Sequence, residues 1–208
     1  MFKEIFVSLI LVGRNFFRLI FYPYATMRKI SQEKDWFQPL IIFFFAYLYF
    51  IFTNIVRKKT LHPFIISSSS FVAFVFFLLT FFLTLGFFYL MGKLFSKIKT
   101  QYSFMPLLFT FSYSLFPTLI WFLTTSFLYF LLPPPRTFSI LGKFFSLVFV
   151  SFSLILLFWK IILVYLSLRF SLKLNFYKIL YAVILFLLWF WPYSAMMYKL
   201  KIFRIPFI

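Results

Sequence analysis

The sequence predicts an all-α, polytopic integral membrane protein, with five transmembrane helices preceded by an interfacial amphipathic helix. Three observations lead there. Of the 208 residues, 64% are hydrophobic and the mean hydropathy is +1.04, too apolar for a single core in water. Five apolar stretches of spanning length are separated by prolines or short basic clusters. The opening stretch, by contrast, sorts its residues onto two faces of one helix.

In that first helix Lys3, Glu4, Ser8, Arg14, Asn15 and Arg18 cluster opposite Ile5, Leu9, Val12, Phe16 and Ile20, the pattern of a helix lying on the membrane. An uncleaved first span is the alternative, because only Ser8 interrupts the run from Ile5 to Val12. A cleaved signal fits worst: Glu4 sits where a basic region belongs, and no small-x-small site follows. Pro23 ends the helix, and Tyr24 to Gln38 is the most polar part of the chain, a short helix at the head groups closed by Trp36 at the interface. Residues 1–36 are thus an interfacial segment, 37–196 a membrane domain and 197–208 a short basic tail.

The first span, 37–56, has the length that a hydrocarbon core of roughly 30 Å requires, and Arg57, Lys58 and Lys59 stop it. Pro63 and the run Ser67 to Ser70 supply turn and N-cap chemistry before the second span, 71–91, which Lys93, Lys97 and Lys99 close. The third, 104–132, is long enough that it must tilt, kink or begin outside the hydrocarbon, and Pro133, Pro134 and Pro135 end it. The fourth runs over 144–168. The fifth, 176–196, ends in an aromatic belt of Trp189, Trp191 and Tyr193.

Charge orients this arrangement and suggests its partners. Lysine and arginine total 21 against 3 acids, Glu4, Glu33 and Asp35, for a net charge of +18. The basic residues lie between apolar spans, so their nearest anions are lipid phosphates; anionic head groups are the expected partners and nucleic acid is not. Twelve basic residues fall on the side of the N-terminus and eight on the other, which favours a cytoplasmic N-terminus.

Two polar stripes lie inside the membrane. At helical spacing Thr110, Tyr113, Ser114, Pro117, Thr118, Trp121 and Thr125 share a face of the third span, one that should not point at lipid. Pro117 lacks an N–H and frees the carbonyl of Tyr113, so the helix must kink there or break into a re-entrant hairpin. Ser146, Ser153, Lys160 and Ser167 recur every seventh residue of the fourth span. Antiparallel pairing of the two spans sets Lys160 level with Leu115, beside the freed carbonyl and the hydroxyl of Tyr113. The plainer reading has Lys160 snorkelling to an interface, the hydroxyls bonding their own helix, and Pro117 as a packing kink. His62, the single histidine, reads as an ordinary loop residue.

Several chemistries are excluded. Without cysteine there is no disulfide or thiolate chemistry, and one histidine cannot build an ordinary zinc site. No carboxylate pair exists within the spans, and no G-x-S-x-G, H-E-x-x-H or P-loop motif occurs, so neither an enzyme nor a cofactor is expected. Gly86 and Gly92 miss the G-x-x-x-G spacing of close helix dimers, which predicts bulky packing.

The run Pro23-Tyr-Ala-Thr-Met-Arg-Lys-Ile30, the Glu-Lys-Asp-Trp at Glu33 to Trp36 and a glycine-bearing second span belong together with two later features. These are Tyr113-Ser114-Leu115-Phe116-Pro117 and Trp159. Jointly they resemble the Yip family, the Ypt/Rab-GTPase-interacting five-span membrane proteins, in its prokaryotic form, from Pro23 to the end of the fifth span. The resemblance implies a membrane-organising or trafficking-like protein of the cell membrane, acting through lipids, other membrane proteins or self-association. The Asp-Leu-Tyr-Gly-Pro hallmark of the eukaryotic members is absent and the N-terminal region is short, so a Rab-type GTPase partner does not carry over. The second expectation is a small transporter, channel or permease subunit, which would line a watery cavity with both polar stripes.

Overall fold

The computed structural model describes residues 2–33, 35–58, 63–95, 104–131 and 140–199, and among them every regular element is a helix. In order these are α1 (Phe2–Phe21), α2 (Pro23–Ile30), α3 (Phe37–Lys58), α4 (Pro63–Phe95), α5 (Phe104–Tyr113), α6 (Phe116–Leu131), α7 (Ile140–Ser171) and α8 (Phe176–Lys199). His62, Lys59, Lys97, Lys99, the prolines 133–135 and the basic residues Lys201 and Arg204 lie outside the described residues. Five segments are long and apolar enough to cross a membrane: α3, α4, α5 with α6, α7 and α8. The third is 78% buried within the protein, against 11–33% for the others, so it is the post around which they stand.

Prolines open three helices because an amide hydrogen is not needed in a first turn: Pro23 in α2, Pro63 in α4 and Pro117 in α6. One expectation fails here. α4 starts at Pro63, so Ser67 to Ser70 lie inside the helix instead of forming a turn and cap. Buried Ser70 then serves packing, accepting a 2.8 Å hydrogen bond from Asn54 Nδ2 on α3. At the far end of α7 the chain turns through Lys173, whose φ of 49° is left-handed, the conformation that ends many helices.

Aromatic rings fill the space between spans. Phe43 meets Phe81 at 5.0 Å, Phe81 meets Phe111 at 5.5 Å, and Phe88 reaches both Phe111 and Phe186, at 5.9 and 4.9 Å. Lipid tails are as apolar as these rings, so such contacts hold the bundle by close packing and not by exclusion from water. Gly92 adds a tight approach. A Cβ there would lie 2.9 Å from Leu172 Cδ2.

Helix α1 packs along α2 and α3 and has three faces, not two. Ser8, Val12, Asn15 and Leu19 form a buried seam against the body. Ile5, Phe6, Leu9, Ile10, Phe17 and Ile20 form a broad exposed apolar face, and Lys3, Arg14 and Arg18 a charged one. The polar face read from sequence is thus split, because Ser8 and Asn15 find hydrogen-bond partners inside.

The ends of the helices agree with five crossings. Tyr24 of α2 stands edge-on to Phe170 of α7 at 4.9 Å, and Lys178 of α8 donates to the carbonyl of Phe95 in α4 at 2.7 Å. The N-terminal helices, the end of the second span and the turn between the fourth and fifth therefore share one side.

Candidate functional site

The third span breaks at Ser114 and Leu115, where α5 has ended and α6 not begun. Ser114 N–H bonds to the carbonyl of Phe111 at 3.1 Å and Leu115 N–H to that of Ser112 at 3.1 Å, tightening the last turn of α5. Ser114 Oγ also donates to the Phe111 carbonyl, at 2.7 Å. The ladder restarts with Leu119 N–H on the carbonyl of Leu115, at 2.9 Å. Both α5 and α6 pack along α3 and α7, as consecutive parts of one crossing do, and α5 does not fold back along α6. The span is broken, not a re-entrant hairpin, so the later spans keep their sense.

The two polar stripes meet each other. Thr110 Oγ1 lies 2.7 Å from Ser167 Oγ and 2.8 Å from Ser171 Oγ. Lys160 Nζ donates to Thr118 Oγ1 at 2.8 Å, and Trp121 Nε1 donates to Ser153 Oγ at 2.9 Å. These contacts zip α7 onto α5 and α6. Hydroxyls of the stripes also bond their own helices: Thr110 to the carbonyl of Pro106 at 2.8 Å, Ser153 to that of Phe149 at 2.8 Å and Thr125 to that of Trp121 at 2.6 Å. Ser146, at the exposed end of its stripe, bonds only the Gly142 carbonyl, at 2.9 Å, among the described contacts.

Lys160 faces the third span as the pairing predicted, and it donates there to Thr118. Tyr113 is engaged elsewhere. Its fully buried hydroxyl donates to Gln38 Oε1 at 2.5 Å and accepts from Asn15 Nδ2 at 3.2 Å. Gln38 Nε2 in turn donates to Glu33 Oε2 at 2.8 Å and to Asp35 Oδ2 at 3.3 Å. Ser8 Oγ donates to Asp35 Oδ2 at 2.6 Å, while Asp35 Oδ1 caps α3 by accepting from Phe37 N–H at 3.0 Å. Two of the chain's three acids, two amides and two hydroxyls thus join α1, the start of α3 and the end of α5. With Gln38 accepting and Asn15 donating, the buried phenol has both a donor and an acceptor partner in this network.

The sequence placed Asn15 on the polar face of the first helix and Glu33 and Asp35 in a motif, but did not link them or Gln38 to Tyr113. The available signals were Asn15 facing the same way as Ser8 one heptad earlier, and Gln38 inside the first turn of an apolar span. Of the motif residues, Pro23 opens α2, Ile30 is fully buried, and half-exposed Trp36 stands edge-on to Phe109 at 5.7 Å. Trp159 packs on Phe16 of α1 with ring centres 6.4 Å apart. Its indole N–H and Asn15 Oδ1 are buried without a hydrogen-bond partner among the described residues.

A cavity of about 480 Å³ adjoins the zipper between α4, the broken span, α7 and α8. It receives only Ser114, Thr118 and Lys160 from the stripes, and its remaining wall is overwhelmingly aromatic and aliphatic. Among the described residues no cluster of histidine or acid suits a metal ion.

A family model described as the Yip1 domain matches residues 17–196. No curated protein and no solved structure gives a match.

Proposed function

The chain belongs to the Yip1 domain family and is a multi-pass integral membrane protein, and from that premise we propose that it is a non-enzymatic organiser of the membrane. It acts as a scaffold that beds α1 into the interface and engages lipids and other membrane proteins there. The observation carrying this reading is the zipper: Thr110 with Ser167, Trp121 with Ser153 and Lys160 with Thr118 join the two stripes at 2.7–2.9 Å, and the adjoining cavity is walled mainly by aromatic and aliphatic side chains. The form of α1 supports it further. An exposed apolar face beside Lys3, Arg14 and Arg18 suits a helix half sunk among anionic head groups. The N-terminal side, richer in basic residues, is the cytoplasmic one. A small transporter is the second reading, favoured by the cavity that reaches Lys160.

Affinity isolation in mild detergent, with mass spectrometry of co-purifying lipids and proteins, tests the proposal. Wild-type protein should retain anionic lipid and defined membrane proteins, and the pair Arg14→Glu and Arg18→Glu should lose much of both. Proteoliposomes should leak small solutes no faster than empty vesicles. Protein-dependent flux that Lys160→Met abolishes would instead establish the transporter.

A further inference from the structure

We propose that the cavity between α4, α7 and α8 binds a single-chain amphiphile with a carboxylic acid head, the head at Lys160 and the tail along the aromatic wall. Four features of the cavity select this occupant. Its volume, about 480 Å³, lies in the range of small-ligand sites. On α8 the lining runs from Phe176 to Phe190, which at helical rise is about 21 Å, the scale of one long acyl chain. Ile161, Leu180 and Leu187 border it and are also exposed, so the mouth opens sideways between α7 and α8, where a lipid-dissolved molecule enters without crossing water.

The fourth feature is charge. Lys160, Thr118 and Ser114 bring a cation and two hydroxyls to one part of a mainly apolar wall, whose other polar side chains are Thr80, Thr84 and Tyr165, and no acid is in the lining. Thr80 and Thr84 already donate to carbonyls of their own helix. A lysine head group carries three donors, so it can hold Thr118 and an acid oxygen together. An acid oxygen accepting from Lys160 makes a charge-assisted bond that is strong where water is scarce. A neutral chain would fill the space without using this corner. A two-chain phospholipid needs more volume, and its phosphate, deep in the hydrocarbon, needs more donors than one lysine and two hydroxyls supply.

The experiment uses the full chain in detergent, stripped of lipid, titrated with brominated palmitic acid and with the matching brominated alcohol, and read by quenching of tryptophan fluorescence and by native mass spectrometry. One acid should bind per chain, with a preference over the alcohol of about tenfold. Lys160→Met should erase the preference while leaving the weaker chain binding. Val183 lines the cavity from α8, so Val183→Trp, which fills the space and leaves the Lys160–Thr118 contact in place, should erase binding of both. Equal binding of acid and alcohol by the wild-type protein overturns the proposal whatever the variants do. So does a preference that survives in Val183→Trp.

Discussion

Tyr113 joins three parts of the chain through one hydroxyl, and removing that oxygen strands two buried amides. Tyr113→Phe leaves Gln38 Oε1 without its donor and Asn15 Nδ2 without its acceptor. The expected cost is about 1–3 kcal/mol, read as a fall in unfolding midpoint in mild detergent. Adding Gln38→Leu to Tyr113→Phe should cost less than the sum of the two single changes, since both members of one bond are then gone. Singly, these residues were only half legible. Tyr113 and Lys160 announce themselves as polar groups in apolar runs, and antiparallel pairing of the third and fourth spans set Lys160 against the third. The partners of Tyr113 sit 98 and 75 residues away, at distances over which no helical period carries information. Ser8 and Asp35 are likewise 27 apart.

At the scale of the element, the third span is broken by more than its proline. Pro117 stands second in α6, a position where proline is tolerated, while the break itself lies at Ser114 and Leu115, where Ser114 has already recruited the Phe111 carbonyl. Pro117→Ala should therefore keep the break and cost only about 0.4–1 kcal/mol through the freer unfolded chain. Because the protein has no cysteine, a pair placed by Trp121→Cys and Ser153→Cys reports α6 against α7 directly. That pair should cross-link equally with proline or alanine at 117. Slower cross-linking with alanine would mean that the proline alone turns α6 toward α7. Apolar length and proline position made this element visible in advance. The third face of α1 was not visible, since a two-sided wheel cannot tell a polar residue facing head groups from one facing an amide or phenol inside the protein.

For the whole molecule, five apolar segments and the contacts at one end fix which connections lie together. Single cysteines replacing Arg28 and Asn175 should react with an impermeant maleimide from one side of intact vesicles, and one replacing Lys58 from the other. With the N-terminus in the cytoplasm, Arg28→Cys and Asn175→Cys label only after inside-facing access is opened in whole cells. Labelling of all three from one side would deny the five crossings. The count of spans was legible because hydrocarbon thickness sets a length that any apolar run must meet. How the spans meet was not, since in lipid the contacts are set by ring shapes and scattered hydroxyls, whose pairing has no period.

The gap at Ser114 and Leu115 divides the central post into two short rods, of 10 and 16 residues. A single rod would carry a tilt imposed at one leaflet straight through to the other. Two rods share a joint, and a change of angle imposed on one is taken up there instead of being passed whole to the other.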